Sequence, residues 1–311
     1  MSIEESLQNK AISFFVGKGG VGKTTLAAAS AFSLADRVSV GERILVVSTD
    51  PAHSLTDTFG LPYTQGNAVQ AYQDLPIDVV QVEPIGQNEY SGAHGILNFF
   101  KFAQDRGVPI DLGAISCMIS IAIYATTLEK NGYGKLIIDS EPTAGLFRLL
   151  YLPENIDKNL RRMTRHPLLI EAFDLLQFIS KDAAQFTSKQ FRKDARIAAN
   201  LLKDYRTLLY DHNSTGFVVV SSPEQTVLAE TERLIDQLRK YNFSIDGILF
   251  NKLLEGTYDI ERVRAFQAET MRVFAEAHID MPVVRVPYLD VKTLDRRVLH
   301  QLGEVMLAHA N

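Results

Sequence analysis

The chain of 311 residues is 46% hydrophobic and 22% charged, which is the balance of a globular protein with a sizeable core. Its net charge of −5 argues against a general nucleic-acid binder, so no nucleic-acid partner is expected. A single cysteine excludes an internal disulfide framework and a zinc site built from several cysteines of one chain.

The sequence also lacks the marks of membrane insertion and secretion. No apolar run reaches the ~18 residues that a membrane-spanning helix needs. Residues Met1–Lys10 are polar and acidic, without the apolar stretch of a secretory signal. We therefore expect a cytoplasmic protein.

Seven short apolar runs predict the strands of a sheet. Each is too short for a helix and rich in Val, Ile or Phe, and such continuous apolar strands are typical of a parallel sheet buried on both faces. The runs are Ile12–Val16, Ile44–Ser48, Val79–Val82, Leu136–Ile138, Phe217–Val220, Ile245–Phe250 and Val283–Val286. Helical patterns follow several of them, as in Gln225–Lys240, where apolar residues recur every three or four positions. This alternation predicts a doubly wound α/β fold with a mostly parallel sheet.

Two stretches, 86–130 and 153–213, interrupt this alternation because neither contains a convincing strand pattern. The second stretch is long, charged and helical in pattern. We predict that the two stretches form a helical subdomain, while residues 11–85, 131–152 and 214–311 form the sheet domain.

The first predicted strand leads into a phosphate-binding loop. The sequence from Gly17 to Thr24 fits the pattern G-x-x-x-x-G-K-[ST] and lies between that strand and a helical pattern over Thr25–Leu34. Glycines allow backbone N–H groups to surround phosphate oxygens, and the helix N-terminus adds partial positive charge. Lys23 is expected on the β- and γ-phosphates of ATP, and the Thr24 hydroxyl on Mg²⁺. The predicted cofactor-binding residues of the loop are Gly17, Lys18, Gly19, Gly20, Val21, Gly22, Lys23, Thr24 and Thr25.

A second lysine, Lys18, distinguishes this loop from an ordinary phosphate-binding loop. The sequence K-G-G-V-G-K-T resembles the variant loop of a class that includes chromosome-partitioning ATPases, nitrogenase iron protein, and the arsenite-pump and tail-anchored-protein-targeting ATPases. In that class the first lysine reaches across a dimer interface to the nucleotide of the other subunit, where charge develops during phosphoryl transfer. The resemblance implies a homodimer and catalytic roles for both Lys18 and Lys23.

The loop after the second strand run narrows the resemblance. Residues 48–57, Ser-Thr-Asp-Pro-Ala-His-Ser-Leu-Thr-Asp, are similar to the D-P-A-H-S/N-L-S-D segment of the arsenite-pump ATPase (ArsA) and the tail-anchored-protein-targeting ATPases. In that family the final aspartate polarises the attacking water, and Asp57 has this position. A carboxylate near the γ-phosphate can orient water and accept its proton. The resemblance implies a catalytic Asp57 in a loop that moves with nucleotide state.

The fourth strand run is followed by Asp139, as in a Walker B strand, which predicts a carboxylate bound to Mg²⁺ through water. The segment from Asp139 to Pro153 resembles the family's second switch, D-T-A-P-T-G-H-T-L-R-x-L-x-L-P. Glu141 replaces a small residue of that pattern, and Ala144 replaces a glycine. The backbone N–H of Ala144 can still meet the γ-phosphate, but alanine does not tolerate positive φ as glycine does, so the sequence leaves open whether this segment switches as it does in the family.

Further segments extend the resemblance from residue 11 to about residue 290. Residues 223–234 resemble the family's P-E-x-x-x-x-x-E-T-x-R-L segment. The asparagine of the family's N-x-L-L contacts adenine, so the resemblance makes Asn251 the predicted contact of the base, and Pro287 lies in the loop that flanks it. The family is that of the Mg²⁺-dependent P-loop ATPases ArsA and the targeting factors, and its resemblance is weakest in the two helical stretches.

One possible client is a hydrophobic protein segment. In tail-anchored-protein-targeting relatives, helices of both subunits form an apolar groove that opens and closes with nucleotide. Here the same kind of residues could instead pack the core of the helical subdomain. The zinc-binding C-x-x-C that joins the subunits of that relative is missing, so no zinc is expected. The groove candidates are Ile96, Leu97, Phe99, Phe100, Phe102 and parts of 168–179.

A metalloid is the second possible client. Cys117 begins a segment, C-M-I-S-I-A-I-Y, that resembles C-T-T-E-I-A-A-F of the arsenite-pump ATPase. That relative binds As(III) or Sb(III) with three thiolates, whereas a dimer of this chain would supply two. We therefore expect Cys117 to act as a buried small hydrophobic residue. A third possibility, an ATPase switch that controls assembly of a partner protein, is also compatible with the sequence.

A partitioning or positioning ATPase that polymerises on DNA or membrane is a further alternative. The helical pattern over Arg296–Asn311 has few basic residues on its polar face, unlike a membrane-binding helix, so we predict a closing helix of the sheet domain. Residues 50–57 also argue against this class. The sequence thus predicts a homodimeric Mg-ATPase of the ArsA and tail-anchored-targeting family, with a hydrophobic protein segment preferred over a metalloid as client.

Overall fold

Eight strands form a single sheet in the computed structural model of the chain. The structure describes residues 2–50, 54–62, 67–82, 97, 100, 104, 111–143, 145–151, 188–254, 261–278, 280–289 and 294–308. The strands are β1 Ile12–Val16, β2 Arg43–Ser48, β3 Val69–Gln70, β4 Ile77–Gln81, β5 Tyr133–Asp139, β6 Thr215–Ser221, β7 Ile245–Leu253 and β8 Val283–Pro287. Their order is β3-β4-β2-β5-β1-β6-β7-β8, and only the β3–β4 pair is antiparallel. The predicted doubly wound, mostly parallel α/β fold is confirmed.

All seven predicted strands are present, and most of their apolar side chains are buried, as continuous apolar runs require, whereas Arg285 in β8 is exposed. Strand β3 was not predicted. It has two residues, both exposed, at the edge of the sheet. A two-residue strand that buries no side chain leaves no apolar run in the sequence, so pattern analysis has nothing to detect.

The helices are α1 Ile3–Asn9, α2 Lys23–Ala35, α3 Ser54–Phe59, α4 Leu112–Thr126, α5 Ser188–Tyr210, α6 Gln225–Lys240, α7 Glu261–Ala277 and α8 Arg296–Ala308. Helix α6 has the bounds that its apolar spacing predicts. Helix α1 was not predicted, although Ser2 and Glu5 form a capping box there, with Ser2 Oγ accepting from the Glu5 backbone at 3.1 Å. The spacing of serine and glutamate was the available signal.

Helix α8 packs against α2, the helix that follows the phosphate-binding loop. A Cβ at Gly303 would overlap Ser33 Oγ and the carbonyl oxygen of Ala29, so this glycine permits the close approach of the two helices. The predicted closing helix of the sheet domain is confirmed. Among the described residues, no helix combines the length and apolar character that a membrane span requires. The buried apolar side chains of α8 are Leu299, Leu302, Met306 and Leu307.

The chain divides into two units. The first comprises Met1–Gln81, Leu128–Leu146 and Leu209–Asn311, and contains the whole sheet. The second comprises Val82–Thr127 and Phe147–Leu208, and its described part is helical. Much of the predicted helical subdomain lies outside the described residues, so its boundaries stay a prediction.

Parallel strands bring their carboxyl ends to one edge of the sheet, and this edge positions the candidate site. Strand β1 lies between β5 and β6, with Phe15 paired to Asp139 and Val16 paired to Val219. Ser48 at the end of β2 is also paired to Asp139. The phosphate-binding loop therefore leaves the sheet beside the last residues of three neighbouring strands.

Candidate functional site

The loop between β1 and α2 depends on glycine at two places. Gly17 has φ 155°, and a Cβ there would overlap the carbonyl oxygen of Val220 in β6. Gly22 has φ 98° and precedes the first residue of α2, where a Cβ would overlap the amide nitrogen of Asn251. Both conformations are unfavourable for residues with a side chain. The glycines of the motif thus allow the loop to lie directly against its neighbouring strands.

Lys23, the first residue of α2, is buried, with 5% of its surface exposed. Its ammonium donates a hydrogen bond to the Lys18 carbonyl oxygen at 3.1 Å. Burial lowers the pKa of this ammonium from its ordinary 10.5, against the opposing effects of the negative charges of Asp139, Asp50 and Glu230. A cation held inside a loop of backbone N–H groups is well suited to binding phosphate oxygens.

Asp139 at the end of β5 is fully buried and joins three segments. Its Oδ2 accepts a hydrogen bond from Thr24 Oγ1 of α2 at 2.8 Å and from Ser48 Oγ of β2 at 3.0 Å. Burial nevertheless raises the pKa of this carboxyl group from 3.8 to about 6, because desolvation outweighs the two hydrogen bonds and the nearby Lys23 charge. Predicted residues Thr24 and Asp139 are therefore brought together.

These residues have the donor chemistry that a magnesium ion requires. The second carboxylate oxygen of Asp139, Oδ1, is buried and has no hydrogen-bond partner in the described part of the chain. Mg²⁺ prefers carboxylate and hydroxyl oxygens and keeps several waters, completing its coordination with phosphate oxygens of the substrate. The Thr24 hydroxyl and the unpaired Asp139 oxygen fit such an ion.

The predicted second switch begins beside the phosphate-binding loop. Gly19 lies next to Pro142, where an added Cβ would make an ordinary 3.7 Å contact. The backbone N–H of Glu141 donates to Thr49 Oγ1 at 3.1 Å, which joins this segment to the loop after β2. The Glu141 side chain lies close to Gly145, where a Cβ would overlap its carboxylate. The substituted residue Ala144 lies outside the described residues, so the question of its effect on switching stays open.

Lys18 has a different environment from Lys23. Its side chain is about one-third exposed, and its ammonium lies 3.5 Å from Thr226 Oγ1 and 3.9 Å from Glu230 Oε2, both on α6. Glu230 Oε1 in turn accepts a hydrogen bond from Thr143 Oγ1 at 3.0 Å. The two lysines of the loop therefore have different environments: Lys23 is buried within the loop, and Lys18 is partly exposed and faces α6.

Asn251, the predicted contact of the adenine base, holds the phosphate-binding loop in this structure. Its amide nitrogen donates to the Val21 carbonyl oxygen at 2.8 Å, and its amide oxygen accepts from the Lys252 backbone at 2.8 Å. The Lys252 ammonium donates to the Gly20 carbonyl oxygen at 2.6 Å. Two consecutive side chains of β7 thus bind two consecutive carbonyl groups of the loop.

Pro287 and Asp57 are the remaining predicted site residues outside the phosphate-binding loop. Pro287 ends β8 and is paired with Leu253 of β7, two positions beyond Asn251. Asp57 is exposed on α3, and in the described part of the chain no hydrogen bond or ion pair joins its side chain to the phosphate-binding loop. The structure therefore brings Pro287 towards the Asn251 strand, whereas it shows no direct contact of the Asp57 carboxylate with Lys18 or Lys23 among the described residues.

Three contacts of the site were not predicted from the sequence. Ser48 ends an apolar strand run. A serine at that position is the signal that could have marked it as a partner of Asp139 on the neighbouring strand β5. Glu230 was recognised only as part of a family pattern, and its contact with Lys18 depends on how α6 packs. Lys252 follows Asn251 directly, but its left-handed backbone, φ 62°, has no signature in the sequence.

Part of the second unit is described. Cys117 in α4 is buried, with 3% of its surface exposed, as predicted for a small hydrophobic residue. Arg148, which matches the second-switch pattern, forms an ion pair with Asp111 at 2.7 Å, and Asp111 caps α4 by accepting from the Ala114 backbone. The groove candidates Ile96, Phe99, Phe102 and 168–179 lie outside the described residues.

Comparison with known proteins supports the resemblance. The family model of anion-transporting ATPases matches residues 10–308. A protein of Chlorobaculum tepidum with the provisional name arsenical pump-driving ATPase is 28% identical over 297 residues, covering 89% of this chain and 70% of that protein. ATPase GET3A of Arabidopsis thaliana is 28% identical over 89% of this chain and 78% of its own length. ATPase get3 of Neurospora crassa is 27% identical over 94% and 89%, respectively.

The buried Asp139 predicts a pH-dependent stability. Its pKa in the folded chain, about 6, is above its ordinary 3.8, so the folded state binds the extra proton between these values. Its contribution to the free energy of unfolding therefore falls as pH rises from about 4 to about 6 and stays low above that. Asp139→Asn is expected to stabilise the nucleotide-free protein by on the order of 1–3 kcal/mol near pH 7.5, and by much less near pH 4.

Urea unfolding at several pH values measures this difference. Asp204→Asn, which changes an exposed aspartate on α5, is the matched control and should leave the pH profile unchanged. A stabilisation by Asp139→Asn that is the same at both ends of the pH range would contradict the prediction.

Asn251→Ala tests whether this side chain holds the loop or reads the base. Loss of the hydrogen bond to Val21 should loosen the phosphate site and weaken ATP and GTP binding equally, by about fivefold to tenfold. A residue that recognises adenine would instead weaken ATP binding alone and lower the preference for ATP over GTP. Calorimetric titration with both nucleotides separates the two outcomes, with Asn213→Ala, at an exposed asparagine, as the control.

Proposed function

Because the chain belongs to the anion-transporting ATPase family and is therefore an ATPase, we propose that it works as a Mg²⁺-dependent homodimer whose nucleotide-driven closing and opening controls a hydrophobic protein client. The observation that carries the proposal is the unequal placement of the two loop lysines. Lys23 is buried within its own phosphate-binding loop, whereas Lys18 is partly exposed and turned towards α6. A lysine that served the nucleotide of its own loop would be expected inside that loop, as Lys23 is.

The chemistry of ATP hydrolysis can be assigned to residues of one edge of the sheet. Bound Mg²⁺ would neutralise charge on the β- and γ-phosphates. In this proposal the Thr24 hydroxyl would hold the ion directly, and the Asp139 carboxylate, whose Oδ1 is unpaired in the described chain, would hold it through water. Lys23 binds the β- and γ-phosphates, and Lys18 of the other subunit stabilises the charge that develops on the γ-phosphate.

Asp57 is proposed to orient the attacking water and accept its proton. Its carboxylate is exposed on α3, and α3 follows directly on the loop that ends β2. Ser48 at the end of β2 and Thr49 at the start of that loop contact Asp139 and the Glu141 backbone, respectively, through their hydroxyls. A change at Asp139 would therefore reach the Asp57 segment through the Ser48 hydrogen bond and a short stretch of chain.

A hydrophobic protein segment is the client that the sequence favours. The relatives include ATPases of the GET3 group and a protein named as an arsenical pump-driving ATPase. Binding of As(III) by three thiolates needs three cysteines, and the sequence has one, Cys117, which is buried in α4. A symmetric dimer would supply two thiols at most, so a metalloid is the weaker proposal.

The dimer proposal predicts that Lys18→Ala separates binding from turnover. ATP binding should largely remain because Lys23 is intact, while hydrolysis falls at least about a hundredfold and ATP-dependent association is lost. Asp57→Asn should lose hydrolysis to a similar extent but retain association, because it removes the water-orienting group and leaves Lys18 in place. Steady-state ATPase assays and light scattering with a non-hydrolysable ATP analogue measure the two properties.

Lys203→Ala, at an exposed lysine of α5, is the control for loss of one surface charge. Turnover at the wild-type rate in Lys18→Ala would refute the cross-subunit role. Failure of the wild-type protein to self-associate in the presence of the ATP analogue would refute the homodimer itself.

The client is tested by asking which ligand the ATPase responds to. A peptide with a single hydrophobic helix should form a complex that gel filtration resolves and that dissociates with a change of nucleotide. Arsenite and antimonite should leave turnover unchanged within about twofold, as should Cys117→Ser in their presence. If either metalloid stimulates ATP turnover and Cys117→Ser abolishes that stimulation, the client is a metalloid and the proposal of a hydrophobic client is wrong.

A further inference from the structure

Glu230 of α6 lies where three segments of the site meet. Its Oε1 accepts the hydrogen bond from Thr143, four residues after Asp139, at 3.0 Å. Its Oε2 faces the Lys18 ammonium at 3.9 Å. Its charge also opposes the effect of burial on the pKa of Lys23. One carboxylate therefore interacts with both lysines of the phosphate-binding loop and with the segment that follows the magnesium aspartate.

The contacts of Lys18 are loose. The 3.5 Å separation from Thr226 Oγ1 is at the long limit of a hydrogen bond, and 3.9 Å from Glu230 is at the limit of an ion pair. Lys18 and Glu230 are both about one-third exposed, so water and salt weaken their attraction. Such a contact orients the lysine at little cost and exchanges readily for a stronger anion.

We propose that Glu230 is a positioning residue that holds Lys18 on its own subunit before the dimer closes, and that links the release of Lys18 to Thr143. The proposal rests on the proposed function, in which Lys18 acts on the nucleotide of the other subunit. In this proposal the Lys18 ammonium leaves the weak contact with Glu230 of its own chain when it binds the nucleotide of the other chain.

The two carboxylate oxygens of Glu230 connect Lys18 with the Thr143 segment. The triphosphate of the other subunit carries several negative charges and attracts Lys18 more strongly than a single carboxylate that is about one-third exposed does. Thr143 follows Asp139 in the chain, and its hydroxyl binds the other oxygen of the same carboxylate. A displacement of the Thr143 segment moves Glu230, so the state of the magnesium site affects how firmly Lys18 is held.

Glu230→Gln tests the proposal because glutamine keeps an acceptor for Thr143 but removes the charge that attracts Lys18. With Lys18 released, half-maximal association should require about two- to fivefold less ATP analogue than in the wild type, as expected for loss of one partly exposed ion pair. Glu232→Gln, at an exposed glutamate on the same helix, is the matched control and should not change that concentration. Light scattering over an analogue titration measures all three proteins.

A double-mutant cycle tests the contact itself without nucleotide. If Lys18 and Glu230 interact, the effect of the double variant on the unfolding equilibrium constant should differ from the product of the two single effects. The expected difference is a factor of about 1.5 to 5. In the Lys18→Ala background, where association is lost, Glu230→Gln should also leave the affinity for the ATP analogue unchanged, as measured by calorimetric titration of nucleotide binding. A persistent effect would mean that Glu230 acts directly on the phosphates, and it would overturn the positioning role.

The results distinguish this proposal from the proposed function. If the wild-type protein does not self-associate in the presence of the analogue, the dimer is refuted. The double-mutant cycle of unfolding still reports on the contact between Lys18 and Glu230 in that case. If the wild-type protein self-associates but Glu230→Gln needs as much or more analogue for half-maximal association, the positioning role alone is refuted. Independent effects of the two substitutions in the double-mutant cycle, that is a coupling factor of about 1, also refute it.

Discussion

One buried carboxylate constrains the site more than any other group. Asp139 ends the strand beside the phosphate-binding loop and is reached by no solvent, so its charge must be stabilised by fixed donors. Thr24 and Ser48 provide two, one from the first turn of α2 and one from the end of β2. The remaining oxygen has no donor in the described chain, and burial keeps the pKa at about 6. The ionised form of this carboxyl group is therefore unfavourable by itself, and a divalent cation would stabilise its charge.

The positive charges of the site show the complementary arrangement. Lys18, Lys23 and Lys252 all lie on or beside the loop, and their ammonium groups contact carbonyl oxygens and a glutamate. A carbonyl oxygen carries only a partial charge, so it stabilises an ammonium less than a phosphate does. A phosphate would therefore attract the Lys23 ammonium more strongly than its acceptor in the loop, the Lys18 carbonyl oxygen, does.

The sequence predicts those parts of the structure whose signals are local. Apolar runs mark the buried strands, and the order of motif, strand and helix marks the loop, because both depend on neighbouring residues. The contacts of Glu230 and Asn251 depend instead on which strand and helix lie beside the loop. That information arises from packing, so the sequence predicts Asn251 as a site residue without its bonds to Val21 and Lys252. The fold is accordingly better predicted than the connections within the site.

Lys252 shows how evolution and protein engineering would treat this site differently. A lysine with φ 62° costs on the order of 1 kcal/mol relative to a favourable backbone, and a glycine there would avoid that cost. Selection in the laboratory for thermal stability alone would therefore tend to accept glycine at this position. Such a variant would lose the ammonium that binds the Gly20 carbonyl oxygen. A more heat-resistant protein would then have a less ordered entrance for the nucleotide, and a stability screen without an activity assay would not detect the loss.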